Sequence, residues 1–162
     1  MNEQTLDTLM SHKTDDWKTP KKLYDYFIKD LHCIDPCPYK SKINNLSQIY
    51  EDSNIYINPP YSMIDLWVNF IRVNLYNNNR IFLLIPARTD TQYFHRLMKL
   101  KNQDVHIELY FIKGRLKFND LKTSAPFPSV LIEMKMYRSC KQEIIKTHFI
   151  EYDEIFEYIY EV

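Results

Sequence analysis

The sequence predicts an α/β fold built on a mostly parallel sheet, with an antiparallel hairpin at one edge. Three observations lead there. Short apolar strands alternate with amphipathic helical stretches, which is the pattern of strand–helix–strand units. "RIFLLIPAR" (80–88) is a continuous apolar run too short for an ordinary helix and suited to a strand buried on both faces. "VHIELYFI" (105–112), Gly114 and "RLKF" (115–118) read as two strands joined by a turn, which supplies the antiparallel edge.

The elements follow in order. Residues 1–14 are polar and unpatterned and read as a flexible arm, with a single domain over 15–162. Thr19 is the expected N-cap and Pro20 the first helical residue of "KKLYDYFIKDL", whose Leu23, Phe27 and Leu31 recur on one face. "HCIDPCP" (32–38) reads as a short buried strand ending at Asp35-Pro36, and Asn44-Asn45 marks a loop. Ile55–Ile57 form a strand stopped by Pro59-Pro60, and residues 63–76 a helix with Ile64, Trp67, Phe70, Ile71 and Leu75 inward. After strand 80–88, Thr89 or Asp90 is expected to cap a helix through about Leu100. "SVLIEMKMY" (129–137) is a strand, and the tail from Lys146 supplies one more strand and a short acidic, aromatic helix.

Composition narrows the function. With 162 residues, 45% hydrophobic and 26% charged, the chain is long and apolar enough for a core. Lys+Arg and Asp+Glu balance at 21 each, so a polyanionic partner must be met by a local basic face. No apolar run approaches the roughly 20 residues of a membrane span, and the N-terminus lacks the pattern of a secretion signal. Three cysteines give no disulfide framework, which suggests a reducing, cytoplasmic setting. There is one glycine, Gly114, where average usage would give on the order of eleven; Asn is expected at turns with positive φ. Gly-rich phosphate cradles of the usual kinds are therefore excluded, which makes P-loop kinases and dinucleotide-binding dehydrogenases poor candidates. His32, Cys33 and Cys37 have one C-x₃-C spacing and no second pair, so no metal is expected.

The informative stretch is Asn58-Pro59-Pro60-Tyr61, at a strand end where ligands of parallel sheets sit. A planar NH₂ group conjugated to a ring or carbonyl is a poor nucleophile. Two fixed acceptors at its hydrogens draw density onto nitrogen as it attacks. The Asn58 side-chain oxygen and the Pro59 carbonyl are those acceptors, and the double proline holds them still. Tyr61 offers a flat face for stacking the ring or amide plane. A base in a duplex must rotate out to reach such a pocket. Asp35-Pro36 and Pro86-Ala87-Arg88 fall at strand ends too, and together the three ends make a cleft if their strands are neighbours.

In the order "DDWKTP", "IDPCP", "NPPYS", "LLIPARTDTQYFH", "FIKGRLKF" and "APFPSVLI", the chain resembles the phage-type DNA N6-adenine methyltransferases (Dam-like family) over residues 15–132. The resemblance implies a Rossmann-like class I methyltransferase sheet, S-adenosylmethionine as cofactor and adenine in DNA as substrate. It implies Asn58, Pro59, Pro60 and Tyr61 as the catalytic turn. Trp17, Thr19, Pro20, Asp35 and Pro36 would hold the cofactor with Asn58, and Asp52, or else Glu51, its ribose. Ser62 and the basic residues Arg88, Lys113, Arg115, Lys117 and Lys122 would face DNA; Arg96, Lys99 and Lys101 belong to the same basic stretch. The family follows its first acidic strand with small residues, whereas Cys37-Pro38-Tyr39-Lys40 are bulkier here. Two alternatives share these residues: transfer to a glutamine amide, and a methyltransferase fold that binds nucleic acid without catalysis. The acidic aromatic tail, with Phe149, Tyr152, Phe156 and Tyr160, is expected mainly in the core, or else as a surface for an oligomer or protein partner.

Overall fold

A computed structural model describes residues 17–41, 45–120, 124–136 and 145–159. Five strands, β1 (Asn54–Ile57), β2 (Arg80–Pro86), β3 (Val105–Ile112), β4 (Ser129–Met136) and β5 (Ile145–Ile150), form one sheet in the order β1-β2-β4-β3-β5. β1 and β2 pair in parallel, as do β3 and β5. β4 is antiparallel to both its neighbours, so four of the five strands run one way. Helix α1 (Lys21–Asp25) continues into a π-helical turn, Tyr26–Asp30. Helix α2 (Ile64–Leu75) follows β1, α3 (Gln92–Met98) follows β2, and α4 (Ile155–Tyr158) follows β5.

The sequence pattern explains the core. In β2, Ile81, Leu83 and Ile85 point to one side of the sheet and Phe82 and Leu84 to the other, all without exposed surface. That is why this run is apolar throughout rather than alternating. One side is covered by α2, whose inward face is the expected Ile64, Trp67, Phe70, Ile71 and Leu75. The other is covered by α1, through Leu23, Phe27 and Leu31, and by Ile155 and Ile159 of the tail. Phe156 of that tail packs edge-on against Tyr26, while Phe149 stays 83% exposed.

Several local expectations are corrected. Thr19 does not cap α1: Pro20 holds the cap position with ψ 133°, outside the helix, and the Thr19 hydroxyl is engaged elsewhere. The strand over 32–38 shrinks to one parallel bridge, Ile34 to Ile55, fixed by hydrogen bonds from Ile34 N to Asn54 O and from Tyr56 N to Ile34 O. Thr91, not Thr89 or Asp90, precedes α3. "RLKF" is not a strand. Leu116 and Phe118 turn into the core, and the backbone there bonds to Ala125 and Lys18 instead. The antiparallel member is β4, inside the sheet and not at its edge.

With one glycine available, other residues take the left-handed turns. His32, Lys40, Asp52, Asn78, Asp104 and Asn119 all have φ between 47° and 60°. Only two are Asn, so the expectation holds in part. Among the described residues no helix is long and apolar enough to cross a membrane. The arm 1–14, Lys122 and Tyr160 lie outside the described residues.

Candidate active site

Ile34, β1 and β2 are neighbours, so Asp35, Asn58 and Pro86 end adjacent chain segments running in the same direction. Their carboxyl ends form one rim. At the Asp35 and Asn58 ends of that rim lies a cavity of about 370 Å³, which the third expected segment, Pro86-Ala87-Arg88, does not line. One wall is the entry to α1, with Trp17, Thr19 and Tyr24. Asp35, the loop from Cys37 to Ser41, Asn58 and Pro60 complete the lining. The bulky residues after Asp35 thus become wall, with Lys40 taking the left-handed turn. Lys18, Lys21 and Lys40 also line the cavity.

Asn58 is held by its nitrogen. Its Nδ2 donates to the Trp17 carbonyl and, at 3.0 Å, to Thr19 Oγ1. Its Oδ1 is buried and has no hydrogen-bond partner among the described residues. A buried acceptor left open in this way costs about 1–3 kcal/mol, so it marks a position kept for something other than stability. Pro59 is buried beside it, and no described group donates to its carbonyl. Thr19, buried, also bonds at 2.8 Å to the hydroxyl of Tyr56, whose side chain has no exposed surface. Burial pushes that phenol well above its usual pKa, so it is a neutral hydroxyl.

Tyr61 begins the turn into α2 and joins an aromatic group. Its ring is nearly parallel to that of Trp17, with 17° between planes and 6.4 Å between centroids. Phe127 stands close to perpendicular to both, at 5.3 Å from Tyr61 and 5.2 Å from Trp17. Phe118 meets Trp17 edge-on at 5.7 Å. The Asn119 amide donates to the Lys18 carbonyl, and the Lys18 amide donates to Asn119 Oδ1 at 2.6 Å, which ties these two segments together.

Asp35 is half-buried. Burial raises its pKa, opposed by hydrogen bonds from the Cys37 amide, at 2.8 Å, and from Tyr24. The Tyr24 hydroxyl is pushed up to about 12 by its own burial and by Asp35. The result is a carboxylate facing a cavity with too little solvation, which favours a cationic guest. Burial likewise pushes the Cys33 thiol up to about 12, which keeps it protonated.

The expected site residues are brought together unevenly. Trp17, Thr19, Asp35, Asn58 and Pro60 line the cavity; Tyr61 adjoins it through Trp17. Pro20 and buried Pro36 stand behind the wall rather than in it. Asp52 is not at this site. It precedes β1, at the strand end opposite Asn58, where its carboxylate accepts from Asn78 at 2.6 Å. Ser62, Arg88, Arg115 and Lys117 are exposed, and the last three have no ion-pair partner among the described residues. Lys113 is paired with Glu151 and Arg96 with Asp65.

Tyr24, Tyr56, Phe118 and Phe127 were not singled out from the sequence. For Tyr56 a signal existed: on a strand, positions two apart share a face, so Tyr56 had to lie beside Asn58. No comparable signal exists for Phe118 and Phe127, which arrive from distant loops.

Sequences described as DNA N-6-adenine-methyltransferase (Dam) match residues 7–154 of this chain as a family. No curated protein matches it. Among solved structures, it is similar to one from Agrobacterium tumefaciens described as an O-methyltransferase. The identity is 11%, the TM-score 0.38, and the match covers 69% of this chain and 48% of that one. It is also similar to one from Listeria monocytogenes described as a class I S-adenosylmethionine-dependent methyltransferase, with 15% identity, a TM-score of 0.42, and 65% and 40% covered. The chain thus spans less than half the length of either structure.

Proposed function

The chain belongs to the DNA N-6-adenine-methyltransferase (Dam) family, whose cofactor is S-adenosylmethionine, and we propose that it methylates the exocyclic amine of an adenine turned out of DNA. The observation that carries this reading is the Asn58 amide: nitrogen pinned by Trp17 and Thr19, oxygen buried without a partner, on a residue that lines the cavity. That is the arrangement an acceptor for an amine requires.

The residues present fit the cofactor. The cavity volume lies in the range of small-molecule sites, roughly 300–1,000 Å³. Asp35 suits the positive charge of an ammonium or sulfonium, and Tyr24, Tyr39 and Trp17 supply flat apolar surface. When bound, S-adenosylmethionine supplies a methyl carbon made electrophilic by its sulfonium, so that the new N–C bond forms as the C–S bond breaks.

The protein's part is electrostatic. Asn58 Oδ1 and the Pro59 carbonyl accept the two amine hydrogens. As positive charge grows on nitrogen these bonds strengthen, and both oxygens are already in place. Tyr61 provides the stacking face. The methylated amine is a strong acid that loses its proton to water, so no side-chain base is required. Arg115 and Lys117, on the segment tied to Lys18, and Arg88, which follows β2, are exposed and would meet phosphates in this reading.

The test is transfer of isotope-labelled methyl from the cofactor by the purified chain, with duplex DNA and glutamine-containing peptides as competing acceptors. Label in DNA, released as N6-methyladenine, supports the reading. Label in the peptide instead would replace the substrate with an amide on the same turn.

A further inference from the structure

We infer that Thr19 and Tyr56 are positioning residues for Asn58: they hold its amide still in the orientation that the Trp17 carbonyl selects. The inference rests on the reading that Asn58 Oδ1 receives the amine.

An Asn side chain can rotate by 180° and exchange its oxygen and nitrogen with almost no change in shape. Only one orientation serves here, because an NH₂ turned toward an amine hydrogen is repulsive. Proline on the C-terminal side stiffens the backbone but leaves this last torsion free. The Trp17 carbonyl decides it, because it accepts only and so requires Nδ2. Thr19 Oγ1, a hydroxyl able to pair with either atom, accepts from Nδ2 at 3.0 Å and anchors the orientation so chosen.

Thr19 has its own rotamer freedom and could present its methyl group instead. The hydroxyl of Tyr56, 2.8 Å from Oγ1, prevents this. Tyr56 is well placed for the task. It is fully buried, stacked on Phe27 at 4.4 Å and 16°, and meets Tyr24 edge-on, so its hydroxyl cannot wander. It does not line the cavity. Tyr56 and Asn58 share one face of the same chain segment, and Thr19 bridges them from a segment 37 residues earlier. This also accounts for Thr19 being absent from the α1 cap: its hydroxyl is already engaged.

The experiment has two readouts on the full chain. The first needs no turnover: proton exchange of the Asn58 side-chain NH₂ in ¹⁵N-asparagine-labelled protein, its signals identified by their loss in Asn58→Ala. The second is the rate of methyl transfer to duplex DNA, with cofactor affinity measured by S-adenosylmethionine titration.

In Tyr56→Phe, exchange should quicken by about tenfold and kcat should fall by roughly three- to tenfold, the worth of one hydrogen bond. Cofactor affinity should stay within about twofold, since one bond's worth is the larger change expected. Thr19→Val should show a larger loss of both, and Thr19→Ser, which keeps the hydroxyl, should restore them. If Thr19→Val does not fold, Tyr56→Phe and Thr19→Ser still decide. Wild-type exchange and kcat in a folded Tyr56→Phe would overturn the inference, as would equal behaviour of the Ser and Val variants. If the wild-type chain does not methylate DNA, the function falls, and positioning is judged on exchange alone.

Discussion

Asn58→Ala should separate catalysis from stability, because the structure sets two opposing terms for folding and one large term for rate. Truncation removes the two hydrogen bonds donated by Nδ2, worth about 1 kcal/mol each. It also removes a buried oxygen without a partner, which returns about 1–3 kcal/mol. Thr19 keeps its bond to Tyr56. The net change in folding free energy should therefore lie within about 2 kcal/mol of zero. On the rate side, losing one preorganised partner of developing charge costs about 10²–10³-fold, or roughly 3–4 kcal/mol of barrier. Single-turnover methyl transfer, thermal denaturation and cofactor titration on the same preparation measure the three quantities. A folded variant whose turnover stays within about threefold of wild type would refute the role given to the open oxygen.

Three further outcomes are expected. For Asp35, whose pKa burial raises, stability from the protonated form is full below the ordinary carboxylate value and is lost as pH rises through the raised one. Asp35→Asn should therefore melt no lower than wild type at neutral pH while binding the cofactor more weakly; melting curves and titrations at pH 4 and 7 check both. For Glu108, burial would raise the pKa, but hydrogen bonds from His106, Tyr110 and His148 outweigh it and hold it at about 2. Its stabilisation is present above 4.5 and fades as pH falls toward 2. Urea unfolding should show wild type losing up to about 3 kcal/mol more than Glu108→Gln across that window, and parallel curves would count against it. For DNA, Arg115→Ala and Lys117→Ala should each reduce the dependence of log K on log salt by about 1. Lys113→Ala should do less, because Glu151 already holds that ammonium. Equal slopes for all three would contradict the assignment.

Much of the fold was legible because it is written in local patterns. The run at β2 states burial on both faces, and Leu23, Phe27 and Leu31 state the inward stripe of the first helix. "RLKF" was misread because alternation of Leu116 and Phe118 with Arg115 and Lys117 is a strand's pattern whatever the apolar face meets. Here it meets Trp17 and Phe127 across a loop, a long-range contact that a local window does not contain. Thr19 before Pro20 has the composition of a cap, yet the stronger claim on its hydroxyl came from Tyr56 and Asn58. At the site, the Asn-Pro-Pro-Tyr turn was readable because its chemistry is carried by neighbours in sequence. Asp52 was placed by the resemblance without a motif of its own, and an acidic residue just before a strand lies at the wrong end for a ligand at the other.

The most direct test is nucleoside mass spectrometry of DNA from cells expressing the wild-type chain or Asn58→Ala at matched levels. The wild type should deposit N6-methyldeoxyadenosine and the variant should leave almost none. DNA without added methyladenine in the wild-type sample, or equal amounts in both, would contradict the claim that this open, pinned amide acts on adenine.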